Sequence, residues 1–259
     1  MKIYKAYAKV NIFLKITGTR DNYHEIISRF MKVPTLFDEL FFVAKTDEKF
    51  EIIGDFNCDT EQNTIYKAYI ALYEHTKSEA LVKFFENHAV HVNKKIPSFA
   101  GLGGGSSDAA TFLKMCNDVL DLSLCQDELV NIGVKIGADV PFFIYDYESA
   151  NVSGTGEIVE KFDEEPLELE IYTPNIEIST PQVYQTYRKL FFASIDSTQE
   201  MALKTMKSLD VLKNFSINEA NDLFKPALHN YPALKESQKM GYFFSGSGSS
   251  FFTLKGNNG

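Results

Sequence analysis

The chain has 259 residues, a length that suits one large domain or two smaller ones. Hydrophobic residues make up 44% of it and charged residues 24%, which supports a packed core and excludes a disordered chain. A net charge of −9 argues against a nucleic-acid partner, which would need a basic face. Without a long apolar run or a signal peptide, and with three cysteines that lack metal-site spacing, the sequence predicts a cytoplasmic protein with reduced thiols and no membrane partner.

The amino-terminal segment predicts a strand from Tyr4 to Ile16. Lys9 and Asn11 lie two residues apart, so they share one face of that strand, between the apolar residues Val10 and Ile12. A lysine in an apolar strand usually lies on the solvated side. The alternation alone therefore leaves two interpretations of Lys9 open, a solvated side chain and a functional one.

A polar turn precedes Tyr23 and His24, a pair that suits either a surface loop or recognition of an aromatic base. Further along, Leu40–Val43 and Phe50–Ile53 predict a pair of strands. Asn63 is a predicted N-cap for a helix that runs to about Ser78. The apolar inner face of that helix is predicted from its spacing: Ile65, Tyr69 and Leu72.

A strand at Ala89–Asn93 leads into the most informative stretch, Pro97 to Ala110. Its glycines, at positions 101, 103, 104 and 105, allow the backbone to approach a ligand closely, and a helix-forming run follows at Ala109–Met115. A glycine loop that enters a helix presents unpaired N–H groups, which bind phosphate. A flexible linker is the alternative. The stretch is no Walker A loop, because no lysine follows Gly105, and it is a poor match to the dinucleotide pattern. The two lysines before it, Lys94 and Lys95, either meet a nucleotide or are merely solvated.

The segment Gly137 to Phe143 places Asp139 among apolar residues, after a helix predicted to begin at Asp127 and to stop at Gly137. An aspartate in such surroundings requires a partner or a chemical role. Burial raises the pKa of a carboxyl group, and a facing cation lowers it. A turn or helix-end aspartate is the structural alternative.

Beyond residue 150 the pattern alternates between turns and short elements. A hairpin turn is predicted at Ser153–Gly156, and a strand at Leu167–Tyr172. Pro181 lies in the first turn of a helix that carries Tyr184, a ring that suits base stacking as well as ordinary packing. Later features follow in chain order: a capping box of Ser216 and Glu219, a short helix at Pro232–Met240, and a glycine–serine turn between strands within Phe244–Phe252.

Four segments in this order, residues 6–14, 97–110, 137–143 and 245–252, resemble the motifs of the GHMP kinases. The run Gly-Leu-Gly-Gly-Gly-Ser-Ser-Asp-Ala-Ala is similar to that of one branch, which phosphorylates a cytidine diphosphate-linked methylerythritol in non-mevalonate isoprenoid biosynthesis. The resemblance implies an α+β fold with two domains and the active site in the cleft between them. It implies an ATP-binding α/β domain at residues 1–162 and a ferredoxin-like domain at residues 163–259, with an acidic, proline-marked segment at the boundary.

The resemblance also implies roles for individual residues in an ATP-dependent kinase that uses Mg²⁺. Lys9 and Asp139 would be catalytic, with Asp139 accepting the proton of the substrate's 2-hydroxyl. Residues implied at the nucleotide are Asn63, Pro97, Ala100, Gly101, Leu102, Gly103, Gly104, Gly105, Ser106 and Ser107. Residues implied at the alcohol substrate are Asn11, Tyr23, His24, Thr180 and Tyr184. No metal-ligating side chain is assigned.

The chain departs from this family in two places. Asn22 stands where the family carries glycine, and asparagine tolerates the same turn. Soon after Phe252 the chain ends, where members generally carry a further helix, so the resemblance implies shortened carboxyl-terminal packing.

Two other functions remain open from the sequence. One is a GHMP kinase for another small alcohol, of the homoserine or mevalonate type, against which Tyr23, His24 and Tyr184 argue. The other is a nucleotide-binding regulator without turnover, against which the presence of both Lys9 and Asp139 argues.

Overall fold

The computed structural model describes residues 2–20, 23–193 and 195–256. The chain forms two compact units, and each is interleaved along the sequence with the other. The first unit comprises Met1–Ala8, Pro34–Ser98 and Gly103–Asp146, and the second comprises Lys9–Val33, Phe99–Leu102 and Tyr147–Gly259. Two long strands, β1 (Tyr4–Arg20) and β2 (Tyr23–Ala44), contribute residues to both units and pair with each other.

Among its described residues, the first unit combines a small sheet with five α-helices. Its strands are the start of β1, the end of β2, β3 (Ile52–Ile53) and β4 (His88–Asn93). Its helices are α1 (Thr64–Thr76), α2 (Glu79–Asn87), α3 (Gly104–Val119), α4 (Gln126–Val134) and α5 (Val140–Tyr145). A 3-10 turn at Thr60–Gln62 precedes α1. β4 pairs antiparallel with β2, from Glu39 opposite Asn93 to Ala44 opposite His88, and parallel with β3.

The core of the first unit lies between its sheet and its helices. Apolar side chains from both the sheet and the helices are buried there. Those of the helices recur at helical spacing, so they share one face of each helix. Representative members are Leu40, Ile65, Leu72, Phe85, Val90, Val92, Phe112, Leu113, Ile132 and Phe142. The burial of this face stabilises α3 against the sheet. The glycine loop therefore leads into a rigid helix.

The second unit contains the hairpin of β5 (Ser149–Gly154) and β6 (Ile158–Lys161), and β5 pairs antiparallel with the first half of β2. A second sheet has the order β7 (Leu169–Tyr172), β9 (Phe251–Leu254), β8 (Phe243–Phe244), all antiparallel. Its helices are α6 (Thr180–Thr186), α7 (Ser197–Thr205), α8 (Ser208–Asn214), α9 (Ile217–Ala220), α10 (Phe224–Asn230) and α11 (Leu234–Ser237), with a π-helical turn at Tyr187–Phe191.

The core of the second unit gathers apolar residues from β1, β2, the helices and the second sheet. Phe224, Phe244 and Phe251 form its aromatic centre, with ring centroids 5.1–6.1 Å apart. Leu14, Ile26, Val183 and Leu234 are among the residues that surround these rings. The two strands that border the glycine–serine turn, β8 and β9, are therefore held in a packed core.

These elements confirm the α+β class and most of the sequence predictions. Asn63 is the N-cap of α1, and Ser216 and Glu219 form the capping box of α9. The predicted pairing of Leu40–Val43 with Phe50–Ile53 is wrong, because β4 lies between β2 and β3. The helix predicted at Pro232–Met240 is shorter, since only Leu234–Ser237 is α-helical.

Three boundaries also differ in ways that bear on function. α3 begins at Gly104, within the glycines. α4 ends at Val134, and α5 begins directly after Asp139, where the sequence predicted no helix. The two compact units are defined by packing and not by continuous stretches of chain. They do not test the predicted domains 1–162 and 163–259, which stay a prediction. Among the described residues no helix combines the length and apolarity that crossing a membrane requires.

Candidate active site

The glycine loop reaches α3 through two residues of positive φ. Gly101 has φ +74° and Gly103, the N-cap of α3, has φ +73°, a region that side chains disfavour. Because the N-cap is glycine, no side chain caps the N–H groups of the first turn of α3. Uncapped N–H groups at the positive end of a helix dipole suit a phosphate, so the loop fits the phosphates of a nucleotide.

In the second unit, the loop residues 100–102 are held by uncharged hydrogen bonds from two other motifs. Ser245 Oγ donates to Gly101 O (2.9 Å) and accepts from the N–H of Asn11 (3.4 Å). The Ser250 N–H donates to Ala100 O (3.0 Å), and the Lys9 N–H donates to Leu102 O (3.0 Å). We call these contacts the neutral network. It brings together three of the four motif segments.

Lys9 contributes its backbone N–H to the neutral network, and its side chain adds a charge there, with only 3% of the residue exposed. Its Nζ donates to Asn11 Oδ1 (2.7 Å) and to Gly101 O (3.2 Å), and lies 4.5 Å from the centroid of the Phe30 ring. Asn11 Nδ2 in turn donates to Ser28 Oγ (2.9 Å). The ammonium group is thus fixed beside the glycine loop, which excludes the solvated interpretation of Lys9.

Two residues of the second unit hold the glycine–serine turn at Ser245–Ser250. Asn221 Nδ2 donates to the carbonyl oxygens of Phe244 and Gly246 (2.9 Å each), while its Oδ1 accepts from the Leu223 N–H (2.8 Å). Thr180 Oγ1 lies 2.7 Å from Ser247 Oγ. Thr180 therefore contacts the same turn that contacts the glycine loop through Ser245.

In the first unit, the beginnings of α1 and α3 meet. Asn63 Oδ1 accepts from the Ile65 N–H (2.9 Å), which confirms the cap, and the next residue, Thr64, donates from Oγ1 to Gly105 O (2.6 Å). A Cβ placed on Gly137 would lie 3.7 Å from Ser106 Oγ. The segment that carries the half-buried Asp139 therefore lies beside the first turn of α3, within the same unit.

A buried charged cluster adjoins that turn. Lys94 Nζ donates to Asp108 Oδ2 (2.7 Å) and to Asp38 Oδ2, and Asp108 is only 2% exposed. Burial raises the pKa of Asp108 to about 7, against the opposing effect of Lys94. Burial would lower the pKa of Lys94, but the two carboxylates outweigh it and raise that pKa. We call these three residues the Asp38–Lys94–Asp108 triad.

The aromatic residues of the second unit form a separate group. The His24 ring lies 5.1 Å from that of Tyr184, at an interplanar angle of 36°, and 6.1 Å from that of Tyr187. Its buried Nε2 has no hydrogen-bond partner among the described residues, and burial, followed by Arg188, lowers the pKa of His24. Tyr23 is 69% exposed. The structure therefore pairs Tyr184 with His24, while Asn22 lies outside the described residues.

The predicted site residues are divided between the units. Asn63, Pro97, Gly103–Ser107 and Asp139 belong to the first, and Lys9, Asn11, Tyr23, His24, Ala100–Leu102, Thr180 and Tyr184 belong to the second. Pro97 is exposed, whereas Ser107 is buried. Sequence reasoning did not single out Asn221 or Ser28, and it left Lys94 undecided. Only burial and long-range contacts reveal them, because no local pattern surrounds them.

The fold and the glycine loop define a class of small-molecule kinases. Residues 63–147 match the family model described as the GHMP kinases N terminal domain. A solved structure described as 4-(cytidine 5'-diphospho)-2C-methyl-D-erythritol kinase is similar to this chain, with a TM-score of 0.74 and 27% identity, covering 98% of this chain and 90% of that one.

Curated relatives narrow the class further. A 4-diphosphocytidyl-2-C-methyl-D-erythritol kinase of Sulfurimonas denitrificans is 60% identical, over 98% of this chain and 97% of the relative. That of Sulfurovum sp. is 48% identical, over 96% and 98% respectively. The chain belongs to the 4-diphosphocytidyl-2-C-methyl-D-erythritol kinase family within the GHMP kinases, a kinase family for which ATP is the implied phosphoryl donor.

Proposed function

We propose that this chain transfers the γ-phosphoryl group of ATP to the 2-hydroxyl of 4-diphosphocytidyl-2-C-methyl-D-erythritol, giving the 2-phosphate and ADP in non-mevalonate isoprenoid synthesis. The observation that carries the proposal is the uncapped start of α3 directly after the positive-φ loop, next to the Asp139 segment. Membership of a family whose relatives carry this name supports the choice of alcohol.

The backbone N–H groups of the glycine loop would hold the phosphates of ATP, with Ala100, Gly101, Leu102 and Gly103–Ser106 forming the loop. Ser107 is buried in the first turn of α3. Its burial favours a role in shaping the loop over direct contact of its hydroxyl with ATP. Asn63 would lie near the adenine while it caps α1. Pro97 would begin the loop. Phosphoryl transfer depends mostly on such positioning and on charge neutralisation.

Asp139 would accept or orient the hydroxyl proton of the substrate, and the Lys9 ammonium would stabilise the charge that develops on the attacking oxygen. Asp139 is half-buried, and Gly137, two residues before it, lies beside Ser106; both observations support the first role. The fixed ammonium of Lys9 beside Gly101 supports the second. Asn11 would then hold Lys9 in place as well as lie near the substrate. A general base contributes typically ~10²–10⁴-fold to the rate.

We propose Mg²⁺ as the accompanying ion. Mg²⁺ usually keeps several waters and binds substrate phosphates with one or two carboxylates, so the protein need not supply a full set of ligands. The described residues contain no group of three side chains suited to a metal, and we assign no protein ligand to the ion.

At the alcohol substrate, the aromatic group would recognise the cytidine. The tilted rings of His24 and Tyr184 offer an aromatic surface, and the buried Nε2 of His24, without a hydrogen-bond partner among the described residues, is one polar atom that the edge of a base would satisfy. Tyr23, which is exposed, would cover the other face of the base, and Thr180 would contact the substrate from the glycine–serine turn. We propose a cytoplasmic location for this chain.

The test is a panel of small alcohols, with and without a cytidine diphosphate group, incubated with Mg-ATP while ADP release is measured. We expect ADP formation with the cytidyl methylerythritol and little with homoserine or mevalonate. Equal or better kcat/KM with an alcohol that lacks the cytidyl group would refute the substrate. ATP binding without ADP formation from any alcohol would instead favour a regulator.

A further inference from the structure

Lys94 has no role in the proposed function, yet it is one of the least exposed lysines of the first unit. Its side chain is 12% exposed, and its ammonium lies between the carboxylates of Asp38 and Asp108. A buried charge is costly unless it is paired and hydrogen-bonded. Burying an apolar side chain at this position would cost less free energy than burying this charged cluster, so the cluster calls for a functional explanation.

Asp38 connects the triad to the segment that enters the glycine loop. Its Oδ1 accepts the backbone N–H groups of Lys95 and of Ile96, the latter at 2.8 Å. Its Oδ2 accepts from Lys94 Nζ. Asp38, which is fully buried on β2, thus holds three consecutive residues directly before Pro97.

Asp108 connects the triad to the helix that leaves the loop. It lies in the first turns of α3, four residues after Gly104, and accepts from Lys94 Nζ at 2.7 Å. A Cβ placed on Gly104 would lie 3.6 Å from Lys94 Nζ and 2.9 Å from Ile96 Cγ2. The first residue of α3 is therefore packed against the same segment, and Lys94 joins the two ends of the loop.

We propose that Lys94 is a positioning residue for nucleotide binding: through Asp38 and Asp108 it holds the chain before Pro97 against the first turn of α3, which keeps the N–H groups there aimed at phosphate. This inference rests on the proposed role of the loop as the phosphate site. The directions of the two pKa shifts agree with the geometry, since Lys94 stays charged while the carboxylates share its one positive charge.

The test is the Kd of ATP, measured by calorimetry without any alcohol, so that it does not depend on the identity of the substrate. Lys94→Met keeps the unbranched shape of the side chain, shortens it by one heavy atom and removes the charge. We expect the Kd of ATP to rise about tenfold, the change that ~1.4 kcal/mol produces. Lys95→Met is the matched control: its neighbouring ammonium is half-exposed and bonds Glu39, and the Kd should stay within twofold of wild type.

A second pair of variants separates positioning from folding. Lys94→Met leaves two buried carboxylates without their cation, so its melting temperature should fall. Lys94→Met with Asp108→Asn removes one of these charges; we expect the melting temperature to recover partly, while the Kd of ATP stays raised about tenfold. Lys94→Arg, which keeps the charge, should restore part of the affinity.

An unchanged Kd in Lys94→Met would overturn the proposal, as would a double variant that regains stability and wild-type affinity together. If Lys94→Met alone does not fold, the double variant and Lys94→Arg decide the matter by the same two measurements. A wild-type protein that binds ATP but releases no ADP with the cytidyl substrate would contradict the proposed function and leave this test intact.

Discussion

The two ends of the glycine loop are held by different kinds of interaction. Residues 100–102, in the second unit, are held mainly by the neutral network, in which backbone carbonyl oxygens accept from Ser245 and from backbone N–H groups, with one charged donor, Lys9 Nζ, on Gly101 O. Residues 104–107, in the first unit, adjoin the Asp38–Lys94–Asp108 triad, in which one ammonium is shared by two buried carboxylates. One short stretch of chain thus depends on both hydrogen-bond geometry and buried charge.

The difference teaches which perturbation each end tolerates. An uncharged hydrogen bond contributes roughly 0.5–1.5 kcal/mol and does not titrate, so the neutral network should be insensitive to pH and sensitive to shape. A buried ion cluster costs several kcal/mol when one partner is removed, and it titrates. Each end also adjoins a segment proposed for the chemistry: Lys9 lies beside Gly101, and Gly137, two residues before Asp139, lies beside Ser106.

The largest expected effect is on catalysis, at the end of the glycine loop that adjoins the segment with Asp139. Asp139→Asn keeps the size of the side chain but cannot accept a proton, so kcat should fall by at least ~10²-fold with the Kd of ATP nearly unchanged. Steady-state kinetics and calorimetry measure the two quantities. Asp146→Asn, at the other end of α5, is the control and should retain wild-type kcat. A folded Asp139→Asn variant with near-normal kcat would refute the catalytic role of Asp139.

Gly101→Ala tests the dependence of the neutral network on shape. A Cβ at Gly101 would lie 2.2 Å from Ser245 O, and φ is +74°. We expect the free energy of unfolding in urea to fall by roughly 2–5 kcal/mol, from the disfavoured backbone and the displaced turn together. Gly241→Ala has a similar φ of +77° with no atom within 4 Å of the new Cβ, so it should cost only about 1–2 kcal/mol. Equal losses in both variants would mean that the close approach to Ser245 contributes nothing.

Asn221→Ala removes the side chain whose amide group holds the glycine–serine turn by hydrogen bonds. It leaves two carbonyl oxygens and one N–H without their partner, and we expect a loss of about 2–3 kcal/mol in the free energy of unfolding. Because none of these groups titrates, the loss should be the same at pH 5 and pH 8. The exposed Asn218→Ala, three residues earlier, should change stability by less than about 0.5 kcal/mol. A loss that varied strongly with pH would break the contrast between the two ends.

Asp108→Asn tests the titration of the triad and has the smallest expected effect. The pKa of Asp108 in the folded chain, about 7, lies above its value near 3.9 in an unfolded chain. The folded state therefore keeps a proton that the unfolded state has lost, so this contribution to stability is full below about pH 4 and is lost as pH rises through about 7. Urea unfolding at pH 5 and pH 8 should show wild type losing on the order of 1–2 kcal/mol relative to Asp108→Asn. Parallel pH profiles of the two proteins would contradict the shared-charge description of the triad.

The sequence by itself determined the features that depend on near neighbours. The cap of α1 by Asn63, the capping box of Ser216 and Glu219, Pro181 at the start of α6 and the glycine loop before α3 all rest on contacts within a few residues. Four motif segments in order also sufficed to indicate the kinase family, since glycine positions and an apolar-flanked aspartate are visible without a fold.

Only the tertiary structure decided how distant segments meet. It placed β4 between β2 and β3, brought Ser245 to Gly101, set Lys94 between Asp38 and Asp108, and brought the ring of His24 next to that of Tyr184. The partners in these contacts are separated by 14 to 160 residues, so no local pattern records them. The burial of a polar group, and with it the pKa of Asp108, depends on everything packed around that group, which is the physical reason that the sequence alone leaves it open.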